Sequence, residues 1–242
     1  MLSIIVSSYQ EDFFKKFEQS VISTIGDNFI YEIIKILNPN IMGICEAYNL
    51  GASKSKFDNL LFIHEDVSFN TLSWGNILIE YLKNPDVGCI GIAGSNIKTL
   101  LPIPWWSLDS NSFSNINQYF KNDKIVKFRE SKINEVILLD GVFISCRKKI
   151  WQEIKFNQNI LKGFHGYDID YSLRTSSKYK NYVINNILIE HYSEGSLSKK
   201  WFVDLLKIYF LNFYVKSTCS KTVKYDRIKA LKFFAYYCNY LR

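Results

Sequence analysis

Apolar positions in the first hundred residues follow two alternating rhythms. Short, nearly continuous apolar runs, SIIVSS (3–8), YEIIKIL (31–37), NLLFIHED (59–66) and VGCIGIAG (87–94), are separated by longer segments, Glu11–Thr24, GICEAYNLGASKSK (43–56) and Leu72–Lys83, whose apolar residues recur at helical spacing. Buried strands alternating with helices predict an α/β fold around a mostly parallel sheet, because parallel strands need a crossover between them. The alternation stops at Asn96. From there to Ser131 no period is sustained, and two prolines, the pair Trp105–Trp106 and many Asn and Ser residues predict a long loop or excursion of the functional kind. Regularity returns in EVILLDGVFISCRKKIW (135–151), a strand running into a helix. FHGYDIDYSLRTSSK (164–178) follows as a helix with an acidic start, and YVINNILIEHYS (182–193) as a last strand.

At 242 residues and 48% hydrophobic, the chain can bury a full core without cross-links. Its five cysteines, Cys45, Cys89, Cys146, Cys219 and Cys238, show no metal-ligand spacing and read as reduced thiols of a cytosolic protein. The start, MLSIIVSSYQED, has no basic segment ahead of its apolar residues, unlike a secretory signal. No run approaches the roughly 18 apolar residues of a membrane span. Charge is split sharply: residues 1–198 hold 20 Lys/Arg against 21 Asp/Glu, and residues 199–242 hold 10 against 2. A neutral body argues against nucleic-acid binding and predicts a catalytic domain over 1–198 with a basic, aromatic helical extension over 199–242. Two readings of that extension stand side by side: a helix lying on an anionic membrane surface, or helices packing on the catalytic domain or on a second subunit.

In open α/β sheets ligands gather beyond the carboxyl ends of the strands. Ser7, Ser8 and Tyr9 follow the first strand, and His64, Glu65 and Asp66 the third. Asp140 and Gly141 fall within the fifth strand and His191 at the end of the last. Each of the three histidines, His64, His165 and His191, lies within three residues of a carboxylate. Simpler readings exist for each cluster. HEDV also fits a strand end capping the next helix, Asp168 and Asp170 fit first-turn carboxylates favoured by the helix dipole, and His191 fits a core histidine. Trp105 and Trp106 fit loop anchors.

Taken together, SIIVSSY, ICEAYNLGASKSKFDNLLFIHEDV, LLDGVFISCRKKIW, FHGYDIDYSLR and IEHYSEGS resemble, in order and spacing, the bacterial family-2-like glycosyltransferases of the GT-A fold, over residues 1 to about 196. The resemblance implies a divalent cation, Mn²⁺ or Mg²⁺, held on a donor diphosphate by Asp66, the second acid of an Asp-x-Asp-type motif, and by His191. His64 stands where the first acid would be. Asp168 matches the general base of a Glu-Asp pair whose glutamate is here Tyr167. Ser7, Ser8, Tyr9, Asn49, His64, Glu65, Asp140 and Gly141 become candidate donor contacts. Trp105, Trp106, His165 and Asp170 become candidate acceptor contacts, with Arg147 or Arg174 as partners for Asp168 or phosphate.

The implied activity is transfer of a sugar from a nucleoside-diphosphate donor, expected to be a UDP-sugar, to a hydroxyl of a bacterial surface glycan such as a lipooligosaccharide, or of a lipid-linked saccharide. Inversion at the anomeric carbon is expected. The implied place is the cytoplasm, at the inner membrane face if the extension binds lipid. Two alternatives are a sugar-phosphate nucleotidyltransferase and a non-catalytic nucleotide-sugar-binding module. The first would prefer a glycine-rich basic loop where SSYQED stands, and the second is at odds with Asp168 and His191 both being present.

Overall fold

The first three apolar runs each build the strand expected of them, and the fourth, VGCIGIAG, divides into two strands that join different sheets. The computed structural model describes residues 1–99, 101–120, 123–126, 133–193, 198–213 and 223–240; Cys219, much of the IEHYSEGS block after Ser193 and the middle of the basic extension lie outside them. The chain opens with β1 (Leu2–Ser8), α1 (Glu11–Thr24), β2 (Tyr31–Leu37), α2 (Ile44–Lys54) and β3 (Asn59–Ile63). A short β4 (Val67–Phe69), α3 (Trp74–Leu82), β5 (Val87–Gly91) and β6 (Ala93–Ser95) follow. β1 lies between β2 and β3 with both pairings parallel, and Ile4, Ile5, Leu61, Phe62 and Ile63 are wholly buried there.

The excursion after Asn96 is more ordered than its sequence suggests. A 3₁₀ turn over Trp105–Asn111 leads into β7 (Ser112–Ser114), β8 (Ile116–Phe120) and β9 (Asp123–Val126). EVILLDGVFISCRKKIW contains two strand pieces and a turn ahead of its main strand: β10 (Asn134–Val136), β11 (Leu138–Leu139), β12 (Phe143–Arg147) and then α4 (Lys148–Ile154). After α5 (Tyr167–Ser176), the expected last strand splits into β13 (Lys180–Val183) and β14 (Ile189–His191), which join different sheets. The helices α6 (Lys199–Leu211) and α7 (Val223–Tyr240) complete the described chain.

The main sheet has seven strands in the order β10-β13-β5-β12-β3-β1-β2. Five run in one direction; β12 and β10 oppose them. Because β12 runs backwards between β3 and β5, its beginning lies at the edge where β3 ends, with Phe143 opposite Ile63 and His64 N–H donating to Val142 O at 3.2 Å. Asp140 and Gly141 therefore sit in a turn at the carboxyl edge of the sheet rather than within a strand. A second sheet, β4-β14-β8-β9, stands beside this edge. Its register places His191 opposite Val67 on one side and Gln118 on the other.

α6 belongs to the main core: Trp201, Phe202, Leu205 and Ile208 are buried in the same apolar cluster as β1 and β3. Ser198 caps it by accepting a hydrogen bond from Trp201 N–H. α6 packs against the start of α5, where Gly166 adopts φ +74°, and a Cβ there would stand 2.1 Å from Ile208 Cδ1. Both the backbone conformation and the close approach require glycine. Cys45, Cys89 and Cys146 are buried free thiols, and Cys238 is a partly buried one; burial pushes the Cys45 thiol up to about 12.

Candidate active site

The site is assembled where the two sheets meet. Tyr192 N–H donates to Asp66 O at 2.9 Å, stitching the end of β14 to the turn between β3 and β4. This puts His191 Nε2 3.4 Å from Asp66 Oδ1, while His64 Nδ1 lies 3.8 Å from the same oxygen. The three donor atoms fall within 4.8 Å of one another.

Hydrogen bonds behind each ring decide which atoms face inward. Gln118 donates its amide hydrogens to the carbonyls of His191 and Ser193, so its Oε1 is the atom left to accept from His191 Nδ1 at 2.9 Å. A neutral His191 then presents the lone pair of Nε2 to Asp66. Asp66 Oδ1 and His191 Nε2 are both buried without a hydrogen-bond partner. Burial would raise the Asp66 carboxyl, but positive charge on the facing His191 and the nearby His64, the charge a bound cation would replace, holds it at about 2. Burial lowers the His64 pKa against the opposing pull of Asp66. An ionised carboxylate and the unpartnered lone-pair nitrogen of His191 form an electron-rich pair, with His64 beside it, that a cation would complete. Asp66 Oδ1, 3.4 and 3.8 Å from the two imidazole nitrogens, is the atom through which the three side chains would share one ion.

The second group of acids lies at the start of α5. Asp168 Oδ2 accepts from Gly141 N–H at 3.0 Å, and Asp140 Oδ1 accepts from Val142 N–H at 2.9 Å, in the turn facing it. Burial, together with the charge of Asp140, raises the half-buried Asp168 carboxyl to about 7. That is the range in which a carboxylate can take and return a proton near neutral pH. Tyr167 OH contacts His64 Nε2 at 2.8 Å and donates to Gly141 O at 3.1 Å.

A family model described as "glycosyltransferase like" matches residues 3–223. The chain belongs to that glycosyltransferase-like family. No curated protein matches it in sequence. Among solved structures, GalNAc-T7 with UDP, GalNAc and Mn²⁺ is similar at TM-score 0.59 and 10% identity, over 87% of this chain and 48% of that one. Residues 1–349 of S. aureus TarS with UDP-GlcNAc are similar at TM-score 0.56 and 12% identity, over 98% of this chain and 71% of that one. The same TarS fragment with UDP gives 0.54 and 11%, over 98% and 70%. This chain therefore spans about half the length of GalNAc-T7. These likenesses show the fold, a GT-A glycosyltransferase sheet flanked by helices.

Within this GT-A fold the other candidate residues separate into those at the site edge and those with structural work. Ser8 Oγ is buried without a partner at the end of β1, Ser7 Oγ accepts from Asn38 at 3.1 Å, and Tyr9 is 63% exposed. Glu65 is turned away from solvent and accepts from the backbone N–H groups of Tyr9 and Gln10 at 3.1 and 3.2 Å, which shapes the loop after β1. Asn49 is committed elsewhere. Its amide bonds Phe156 O, Gln158 Oε1, Phe156 N–H and Trp151 Nε1, pinning the segment after α4 to α2.

Asp170 has structural partners as well. It is 1% exposed, receives Arg174 at 2.6 and 2.9 Å and Asn212 at 3.1 Å, and so docks the end of α6 on α5. Arg174 is occupied by that pair and by the carbonyls of Ile154 and Lys155. Arg147, at the far end of β12, donates to the carbonyls of Leu82, Asn84, Pro85 and Val87, away from Asp168. Asp170→Ala should therefore destabilise the fold by on the order of 3 kcal/mol by stranding Arg174, readable as a lower urea midpoint.

Trp105 is buried at 6% exposure, and Trp106, at 40%, stands edge-on to it and tilted towards Trp201. Only Trp106 offers an open indole face. His165 is half-buried; burial lowers its pKa, with Asp204 and Lys200 of α6 acting in opposite directions. Gln118 is the site residue that sequence reasoning missed: it lies in the aperiodic excursion, and only the pairing of β8 with β14 brings it behind His191.

Proposed function

We propose that the chain is a metal-dependent glycosyltransferase that moves a sugar from a nucleoside-diphosphate donor, UDP-linked, to a hydroxyl of a glycan or lipid-linked saccharide, with inversion. The observation that carries this reading is the inward-facing cluster of His64, Asp66 and His191 beside an aspartate poised near neutral pH. The UDP-bound TarS structures and the Mn²⁺ in the GalNAc-T7 structure support the choice of donor and ion.

Asp66, His191 and His64 would hold Mn²⁺ or Mg²⁺, the imidazoles favouring Mn²⁺. When bound, the cation supplies neutralisation of the charge that builds on the diphosphate oxygens as the glycosidic bond breaks. Asp168, fixed in orientation by Gly141 N–H, takes the proton of the attacking acceptor hydroxyl. Ser7, Ser8 and the loop shaped by Glu65 face the nucleotide. Trp106 stacks on the acceptor sugar, so Trp106→Ala should raise acceptor KM several-fold with donor KM unchanged, whereas Trp105→Ala should lower the melting temperature.

Thermal-shift screening against UDP, GDP and CDP with and without Mn²⁺ tests the reading. Stabilisation by UDP that requires Mn²⁺ supports it. Equal stabilisation without metal, or none by any nucleotide, contradicts it.

We also propose that the basic extension meets an anionic membrane surface. Among the described residues no helix is long and apolar enough to cross a membrane. α6 turns its polar Asp204 and Asn212 inward and leaves Val203, Phe210 and Leu211 exposed, with Phe213 just beyond its end. Exposed aromatics beside Lys and Arg suit an anionic interface. Because α6 is part of the core, the test keeps it in place. Phe210→Glu with Phe213→Glu should abolish flotation with phosphatidylglycerol vesicles that the unaltered chain shows; equal flotation contradicts this.

A further inference from the structure

We infer that Tyr167 is the positioning residue that makes His64 a cation ligand, resting on the same residue, Gly141, whose backbone also holds the general base; the inference rests on the metal-site reading above. Tyr167 has one hydroxyl hydrogen and, beside the neighbouring Tyr48 hydroxyl, contacts Gly141 O at 3.1 Å and His64 Nε2 at 2.8 Å. A carbonyl cannot donate, so both contacts are satisfied only if the hydroxyl donates to Gly141 O and accepts from His64 Nε2–H. A neutral imidazole protonated on Nε2 carries its lone pair on Nδ1, the atom 3.8 Å from Asp66 Oδ1. The hydroxyl thereby selects the tautomer that faces the cation, as Gln118 does for His191.

A tyrosine performs this task where a carboxylate would bring a further charge towards Asp168. Burial pushes the Tyr167 phenol well above its ordinary range, so it stays a neutral hydroxyl. The same residue serves both halves of the site: Gly141 O receives Tyr167, and Gly141 N–H donates to Asp168 Oδ2 at 3.0 Å. No side chain fits there, since a Cβ on Gly141 would stand 2.1 Å from the Tyr167 hydroxyl. His64 and Tyr167 on one side and Asp168 on the other are thus tied to the backbone of one residue, Gly141.

The test reads Mn²⁺ binding directly, from the electron paramagnetic resonance signal of the free ion, for the unaltered chain, Tyr167→Phe, His64→Ala and the double variant. Removing the hydroxyl should weaken Mn²⁺ about 10–100-fold, the range for groups that orient a metal-bound histidine. If Tyr167 acts through His64, the double variant should bind no more weakly than His64→Ala alone. Losses that multiply, or Tyr167→Phe binding like the unaltered chain, overturn the inference while leaving the metal site standing. An unaltered chain that leaves the Mn²⁺ signal unchanged overturns the metal reading itself and this inference with it. One readout needs no folded variant at the tyrosine: imidazole ¹⁵N shifts of the metal-free unaltered chain should show His64 protonated on Nε2, and protonation on Nδ1 overturns the inference.

Discussion

Asp168→Asn should lower kcat by roughly 10²–10⁴-fold, the usual contribution of a positioned general base, while Mn²⁺ and UDP binding persist. The amide keeps the shape of the carboxyl but cannot take the acceptor proton. The unaltered enzyme should gain activity as pH rises through about 7, where the Asp168 carboxyl ionises, and the variant should lose that limb of the profile.

Stability should move the other way. Burial and the charge of Asp140 raise Asp168 from 3.8 to about 7 in the folded chain, so the native state binds the proton more tightly than the unfolded one. Its stabilising contribution is complete below about pH 4 and is lost as pH climbs to about 7. The neutral asparagine escapes that loss, so the melting temperature of Asp168→Asn relative to the unaltered chain should be higher at pH 8 than at pH 5. Opposite movements of turnover and stability distinguish a base held at a cost from a residue that merely supports the fold.

Asp66→Asn should weaken Mn²⁺ by more than about 100-fold, beyond the range seen when only an orienting group is lost. With it should go the metal-dependent part of UDP binding. Asp66 Oδ1 is the atom both histidines face, at 3.4 and 3.8 Å, and an amide supplies neither its charge nor its full coordinating power. The two replacements therefore divide the site. Asp168→Asn leaves a loaded but slow enzyme, and Asp66→Asn an enzyme that fails to load, as calorimetry with Mn²⁺ and UDP would read.

The strands of the first half were legible because their signal is local. SIIVSS, YEIIKIL and NLLFI are apolar runs of strand length, and each became a strand of the main sheet. The clustering of His64 and Asp66 at the end of β3 was legible for the same reason. The gathering of the site from distant segments was less so. YVINNILIEHYS looks continuous, yet its two pieces belong to different sheets, because Ile189–His191 pairs with Val67–Phe69 and Ile116–Gln118 rather than with β5.

Burial partners were not legible at all. Asp168 and Asp170 are equivalent first-turn acids on paper, but one faces Gly141 and the other is closed over by Arg174 and Asn212 from α6. Asn49 likewise carries no sign in its sequence surroundings that four hydrogen bonds will consume it. The basic extension left two readings open, a membrane-surface helix or helices packing on the catalytic domain, and the apolar side of α6 joins the main core. Net charge describes what a helix offers to solvent and says little about what its other face buries.

The most direct measurement is anomalous diffraction at the manganese edge from crystals grown with UDP and Mn²⁺. One peak should lie between Asp66 Oδ1, His191 Nε2 and His64 Nδ1, within about 2.3 Å of the first two. A peak elsewhere on the chain, or ordered UDP with no peak between these side chains, would contradict the account.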